Sequence, residues 1–133
     1  MPSRIHHIGI AVADLDESIR VYTSALGGQL VHRATNETEG LEAAFLRVGD
    51  GEIELMSALR EDSPVGKFVA KRGPGLHHVA YAVADINGAL AEARAAGLEL
   101  IDSEPRIGMH GARIAFVHPK SLGGVLTELV ESP

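Results

Sequence analysis

The 133-residue sequence contains neither cysteine nor tryptophan, and only 4% of its residues are aromatic. Without cysteine the chain has no disulfide, no thiolate nucleophile and no thiolate-bound metal, and we expect it in a reducing compartment, the cytoplasm. Any metal site must therefore use nitrogen and oxygen ligands. No apolar run approaches the length that spans a bilayer. We expect no membrane partner.

Basic residues are outnumbered, with 12 Lys and Arg against 18 Asp and Glu and a formal net charge of −6. Proteins that bind nucleic acid or membrane surfaces need basic faces, so the charge argues against both classes. Apolar residues make up 45% and charged residues 23%, which is an ordinary globular balance. The length fits one domain with a real core, and we expect residues 1–133 to form a single domain.

The sequence contains an internal repeat, which we take as its main organising feature. The segment 6–15 (HHIGIAVADL) returns as 77–86 (HHVAYAVADI), so that His7 and His78 lie 71 residues apart. Each copy also ends with a carboxylate inside an apolar strand pattern, Glu54 in the first and Glu128 in the second. Two half-length copies of this size must share one core.

Each copy is predicted to fold as a strand, a helix and three further strands. In the first copy we predict a strand over 5–13, a helix capped by Asp14 and ended by Gly27, and strands over 29–34, 41–48 and 52–57. In the second copy we predict a strand over 77–84, a helix over 85–96, and strands near 99–103, 112–117 and 124–131.

The segment 60–73 between the copies is predicted to be a short linking helix, with Ser63 as its cap. The loop 105–111 is too rich in glycine to be a strand. The expected fold is therefore α+β: two tandem βαβββ modules, approximately 5–57 and 76–131, related by an approximate twofold and forming a curved-sheet cleft.

The repeated histidines and glutamates predict a metal site. Strand alternation places His7 opposite the face that Ile8, Ile10 and Val12 give to the core, and a pseudo-twofold relation lets residues distant in sequence converge. Two imidazoles and two carboxylates suit Co²⁺, Mn²⁺, Fe²⁺ or Ni²⁺. Taken singly, each such residue is more often structural, but recurrence in both copies favours the metal site. The expected ligands are His7, Glu54, His78 and Glu128.

The histidines that precede the two ligand positions, His6 and His77, have the opposite strand parity. We expect both to lie in the core or at its edge, without a role in the site.

The duplicated pattern resembles the vicinal oxygen chelate superfamily, which includes the glyoxalases, and within it the methylmalonyl-CoA epimerases. The closer match is carried by five segments: 62–64 (DSP), 75–80 (GLHHVA), 105–111 (PRIGMHG), 118–121 (HPKS) and 124–129 (GVLTEL). The resemblance implies a homodimeric isomerase of propionate metabolism. It would hold Co²⁺, or else Mn²⁺, Ni²⁺ or Fe²⁺, through the four ligands named above, and would interconvert the two C2 epimers of methylmalonyl-CoA.

The implied reaction removes the C2 proton and returns it through a metal-stabilised enolate, and it needs proton transfer on opposite faces, by two acid/base groups or by one mobile group. Glu128 is the candidate for one of them. Some family members carry a glutamate base at the position of Ala43. Here the second group is the adjacent Glu42, reoriented from its opposite parity, or His110 from the glycine-rich loop, or a residue that the sequence does not identify. We predict that Lys120 and Ser121 contact the acyl-CoA.

Two other readings use the same fold. One is another superfamily enzyme, either a glyoxalase-like isomerase or a dioxygenase that binds Fe²⁺ through two histidines and one carboxylate. The other is a metal-free small-molecule binding protein. A fourth ligand at Glu54 argues against the dioxygenase, and the retention of buried carboxylates argues against the binding protein.

Overall fold

The structure is a computed structural model that describes residues 1–132, and it divides into two compact units. The N-terminal unit is Ile8–His77, and the C-terminal unit joins Met1–His7 to the residues from His78 onward. Both borders fall inside strands, directly after His7 and directly before His78. The expectation of a single domain over 1–133 stays a prediction.

The first module contains four strands and its own helix, followed by the linking helix. Its elements are β1 (Arg4–Ala11), α1 (Leu15–Leu26), β2 (Gln29–Asn36), β3 (Leu41–Val48), β4 (Gly51–Ala58) and α2 (Pro64–Arg72). The strand order is β2-β3-β4-β1, with β3 antiparallel to β2 and β4, and β1 parallel to β4. The predicted βαβββ order of this module is confirmed.

Local signals in the sequence set the helix ends of this unit. The Asp14 carboxylate accepts the Glu17 N–H at 3.0 Å, and Gly27 ends α1 with a φ of 68°. The Ser63 hydroxyl accepts the Gly66 N–H at 3.0 Å and so begins α2. Apolar residues of α1, led by the buried Leu15, pack against β3 and β4.

The second module repeats the order. Its elements are β5 (Gly75–Val83), α3 (Ile86–Ala95), β6 (Arg106–Ile107), β7 (Arg113–Val117), a 3₁₀ turn (Pro119–Ser121) and β8 (Thr127–Glu131). The strand order is β5-β8-β7-β6, with β8 parallel to β5 and antiparallel to β7. Ile86 and Leu90 of α3 are buried against this sheet.

Residues 1–132 thus contain eight strands and three helices in two βαβββ modules, and the predicted α+β fold class is confirmed. None of these helices combines the length and the apolar character that crossing a bilayer requires.

The predicted strand over 99–103 does not form. Leu100 makes one isolated bridge to Val117, and the N–H groups of Ile101 and Asp102 both donate to the Phe116 carbonyl, at 2.9 and 3.2 Å. The Asp102 carboxylate then accepts the Phe116 N–H at 2.9 Å. A side chain therefore replaces the ladder bond that a regular strand would make.

Two further strand boundaries differ from the prediction. The glycine-rich loop 105–111, expected to contain no strand, includes the two residues of β6, which pair with β7. Strand β8 begins at Thr127 and not at 124. The cause is Gly124, whose φ of 91° is incompatible with extended backbone.

Glu131 supplies the missing cap of α3. Asp85 occupies the N-cap position but makes no side-chain cap hydrogen bond, and the Ile86 N–H donates to Glu131 Oε2 at 3.1 Å. Arg113 donates to both carboxylate oxygens, at 3.0 and 2.8 Å. The Arg113 guanidinium, and after it the Ile86 N–H, holds the pKa of Glu131 below its ordinary value. This carboxylate therefore ties α3 and β7 to β8.

We predict that Glu131→Gln lowers the free energy of unfolding at pH 7 and that the difference from the wild type disappears in acid. Because the pKa is depressed in the folded state, the stabilisation is present above the ordinary value of 4.5 and is lost as the pH falls through the folded pKa. Urea unfolding of both proteins between pH 3 and pH 7 measures the difference in the free energy of unfolding, with Glu104→Gln at an exposed position as control. A difference that does not change with pH would contradict the assignment.

Candidate metal centre

His7 lies on the buried face of β1. The residue is 1% exposed, and Ala11 on the same face is 0% exposed. Val12 and Ile10 on the opposite face pack against α1, as predicted, but Ile8 is 37% exposed. The expectation that Ile8 faces the core was therefore wrong.

Three of the predicted ligands come together within the C-terminal unit. His78 Nε2 lies 3.1 Å from Glu128 Oε2 and 3.2 Å from His7 Nε2, and His7 Nε2 lies 3.8 Å from the same carboxylate oxygen. These side chains come from β1, β5 and β8, and the parallel register of β5 and β8 sets Glu128 beside Ala80. All three residues are buried.

This arrangement fits a divalent ion. Bonds of about 2.0–2.2 Å to one ion place neighbouring ligand atoms about 3 Å apart, which the spacing of 3.1–3.8 Å approaches. The donors are imidazole nitrogens and a carboxylate oxygen, which suit Co²⁺, Mn²⁺, Fe²⁺ and Ni²⁺. A buried carboxylate is costly unless charged or polar partners compensate it.

Glu54, the fourth predicted ligand, lies on β4 in the N-terminal unit. It is 4% exposed, and its register partners are Gly9 on β1 and Phe45 on β3. Each of the four predicted residues is buried and offers one ligand atom.

His6 contacts a predicted ligand, which the sequence analysis did not anticipate. Its Nδ1 lies 2.8 Å from His7 Nδ1, and the two rings meet edge to face. Burial, followed by the charges of His7 and His110, lowers the pKa of His6 to about 4, so the ring is neutral at pH 7. The signal in the sequence was the doubled histidine itself. The ring of His77, its counterpart, packs edge-on against Phe68 at 4.8 Å.

His110 faces the second oxygen of Glu128. Its Nε2 lies 3.9 Å from Glu128 Oε1, and its Nδ1 accepts the Ala112 N–H at 3.4 Å. The loop that carries it turns through a hydrogen bond from the Gly111 N–H to the Gly108 carbonyl at 3.0 Å. The two oxygens of Glu128 therefore have different neighbours: Oε2 faces two imidazoles and Oε1 faces a third.

Glu42, the other candidate for the second acid/base group, is held in an ion pair. Its oxygens accept from Arg33 at 3.3 and 3.4 Å, and Arg33 also donates to Asp16 at 2.7 Å. The neighbouring Ala43 is buried, at 0% exposed. A catalytic role for Glu42 stays a prediction, and this pairing does not favour it.

Lys120 and Ser121 lie in the 3₁₀ turn and both contact Glu99. Lys120 Nζ lies 2.6 Å from Glu99 Oε2, and the Ser121 hydroxyl accepts the Glu99 N–H at 2.8 Å. The hydrogen bond from Lys120 lowers the pKa of Glu99. Their role in acyl-CoA binding stays a prediction.

Comparison with known proteins shows that most of the chain matches the model of one protein family. Residues 6–116 match the model of the Glyoxalase/Bleomycin resistance protein/Dioxygenase superfamily.

Individual relatives match almost end to end. A solved structure of a Streptomyces coelicolor methylmalonyl-CoA epimerase variant in complex with 2-nitronate-propionyl-CoA is 42% identical, with a TM-score of 0.93 over 98% of this chain and 97% of that one. The ethylmalonyl-CoA/methylmalonyl-CoA epimerase of Cereibacter sphaeroides is 36% identical over 97% of this chain and 98% of its own length. The human mitochondrial methylmalonyl-CoA epimerase is 34% identical over 97% of this chain and 74% of its own.

We predict that Glu128→Gln weakens Co²⁺ binding by at least about 100-fold, because the loss of an outer partner alone typically costs about 10–100-fold and this change removes a ligand charge. Isothermal titration of metal-stripped protein with Co²⁺ measures the dissociation constant. Glu131→Gln, on the same strand, is the matched control and should bind Co²⁺ like the wild type. Equal affinity of Glu128→Gln and the wild type would contradict the assignment of Glu128 as a ligand.

Proposed function

Because the chain belongs to the Glyoxalase/Bleomycin resistance protein/Dioxygenase superfamily, we propose that it is an isomerase that interconverts (R)- and (S)-methylmalonyl-CoA. The observation that carries this proposal is the cluster of His7, His78 and Glu128, buried in a chain that resembles methylmalonyl-CoA epimerases over 97% or more of its length. Such a cluster can serve a reaction that moves a proton at a carbon next to a thioester.

All four predicted ligands enter the proposed centre. We assign His7, Glu54, His78 and Glu128 to one divalent ion, with Co²⁺ as the first choice and Mn²⁺, Ni²⁺ or Fe²⁺ as alternatives. Glu54 is included because it is the repeat counterpart of Glu128 and is equally buried, at 4% exposed. When bound, the ion supplies Lewis-acid stabilisation of the negative charge that develops on the thioester oxygen.

Glu128 is the proposed acid/base group on one face of the substrate. One of its oxygens, Oε2, faces the imidazoles of His7 and His78, which leaves Oε1 on the side of His110. A carboxylate at this place accepts the C2 proton while the electron pair of the C–H bond moves toward the thioester carbonyl. Glu128 is 4% exposed, so little water competes for that proton.

His110 is the proposed second acid/base group. Its Nδ1 accepts the Ala112 N–H, which places the single proton of the neutral ring on Nε2, the atom nearest Glu128. Neutral imidazoles act as hydrogen-bond donors toward developing oxyanions in other active sites. We therefore assign the second proton transfer to His110, whereas the carboxylate of Glu42 is bonded to Arg33.

The acyl-CoA is proposed to contact Lys120 and Ser121. Both lie in an exposed turn, and the Lys120 ammonium can exchange Glu99 for a phosphate, since a net acidic protein must meet CoA phosphates through local cations. We further propose that the protein is a cytoplasmic homodimer that works in propionate metabolism. The absence of cysteine supports a reducing compartment, and the dimer rests on the family resemblance.

We predict that Co²⁺-loaded protein converts (R)-methylmalonyl-CoA to its (S) epimer in a stereospecific coupled assay, and that His78→Ala with the same metal does not. The hemithioacetal of methylglyoxal and glutathione is the matched competing substrate. Turnover of the hemithioacetal alone would make the protein a glyoxalase-like isomerase. No conversion of either compound with Co²⁺, Mn²⁺, Ni²⁺ or Fe²⁺ would contradict the enzyme assignment.

We predict that His110→Gln separates exchange of the C2 proton with solvent from epimerisation. With one of two acid/base groups removed, the C2 proton of one epimer still exchanges in D₂O, while conversion falls by about 10²–10⁴-fold, the usual contribution of such a group. NMR loss of the C2 proton from each pure epimer measures exchange. If Glu42→Gln gives this pattern and His110→Gln does not, Glu42 is the second group and the assignment of His110 is wrong.

A further inference from the structure

The doubled histidine at the start of β1 forms a contact between neighbouring side chains. Successive residues of a strand normally point to opposite faces, yet His6 Nδ1 lies 2.8 Å from His7 Nδ1, a hydrogen-bond distance. The rings meet at 78° with centroids 5.0 Å apart. His6 also lies beside the ring of His110, with centroids 5.4 Å apart. It is therefore packed between a predicted ligand and a predicted acid/base group.

Coordination of an ion by Nε2 would determine where the proton of His7 must lie. A neutral imidazole carries one N–H, and a bond between two ring nitrogens uses one such proton. Nε2 of His7 is the atom that faces His78 and Glu128, at 3.2 and 3.8 Å. A nitrogen that coordinates an ion has no proton, so His7 must carry its proton on Nδ1. The acceptor beside that N–H is His6 Nδ1, 2.8 Å away.

We propose that His6 is a positioning residue that fixes the tautomer of His7. It accepts a hydrogen bond at Nδ1 from His7 Nδ1–H and so leaves Nε2 of His7 bare and aimed at the metal. The proposal rests on the metal centre of the proposed function. Histidines that ligate metals commonly donate their other ring N–H to an acceptor that fixes tautomer and ring orientation. In this chain the acceptor is a second imidazole, taken from the neighbouring residue.

The second copy of the repeat has a different arrangement at the equivalent place. His77 precedes His78 as His6 precedes His7, but its ring packs edge-on against Phe68 of α2, with centroids 4.8 Å apart. The ring of His78 meets Phe116 edge-on at 5.6 Å. The two copies have therefore diverged around their ligands, and the proposal applies to His6.

The test uses two substitutions that differ only in the acceptor. His6→Leu removes it, and His6→Asn keeps an acceptor oxygen near the position of Nδ1. We expect His6→Leu to raise the Co²⁺ dissociation constant about tenfold or more, and His6→Asn to stay within about threefold of the wild type. The control is His32→Leu on the exposed edge strand β2. It removes a surface imidazole and should leave Co²⁺ affinity unchanged.

A second measurement does not depend on metal. Imidazole ¹⁵N NMR of the metal-stripped protein reports the tautomer of His7, which should carry its proton on Nδ1 in the wild type and lose that preference in His6→Leu. A proton on Nε2 in the wild type overturns the proposal, as does unchanged Co²⁺ affinity in His6→Leu. If the wild type itself binds no Co²⁺, the proposed metal centre fails. If the wild type binds Co²⁺ and His6→Leu binds it equally well, only the role of His6 fails, so the two failures are distinguishable.

Discussion

The buried carboxylate of Glu128 is the group on which the rest of this site depends. A carboxylate that is 4% exposed carries a large desolvation cost unless a charged or polar partner compensates it, and imidazole nitrogens face it: those of His78 and His7 on one oxygen and that of His110 on the other. Apolar residues at these places would commonly be as stable or more so. The arrangement is therefore explained by chemistry and not by stability. The register of β8 with β5 and β7 sets the place from which this carboxylate projects.

Much of the fold could be predicted from the sequence because its signals are local or repeated. The caps at Asp14 and Ser63 are set by residues within one helical turn, and the doubled motif gives the topology of the second module from that of the first. The strand expected over 99–103 could not be excluded in this way. Its apolar pattern is suitable, but Asp102 takes the Phe116 N–H, and a hydrogen bond between residues 14 positions apart is invisible to periodicity.

In the candidate site, too, some features could be predicted from the sequence and others could not. Strand parity and recurrence were sufficient to choose His7 over His6 and His78 over His77 as ligand candidates. Parity also assigned His6 to a passive position, because it describes which face a residue occupies and not how far an imidazole can turn toward its neighbour. The second acid/base group could not be chosen from sequence either. The pairing of Glu42 with Arg33 across two strands argues against Glu42. The glycine-rich loop favours His110, because it places this residue 3.9 Å from Glu128.

The central claim is that a histidine and a glutamate from each copy of the repeat form one metal centre. Crystals of the Co²⁺-loaded protein, measured on both sides of the cobalt absorption edge, test this most directly. The account predicts one strong anomalous peak in bonding distance of His7 Nε2, His78 Nε2, Glu128 and Glu54. A cobalt ion bound to other residues, or a peak at the two histidines and Glu128 that Glu54 does not reach, would contradict it.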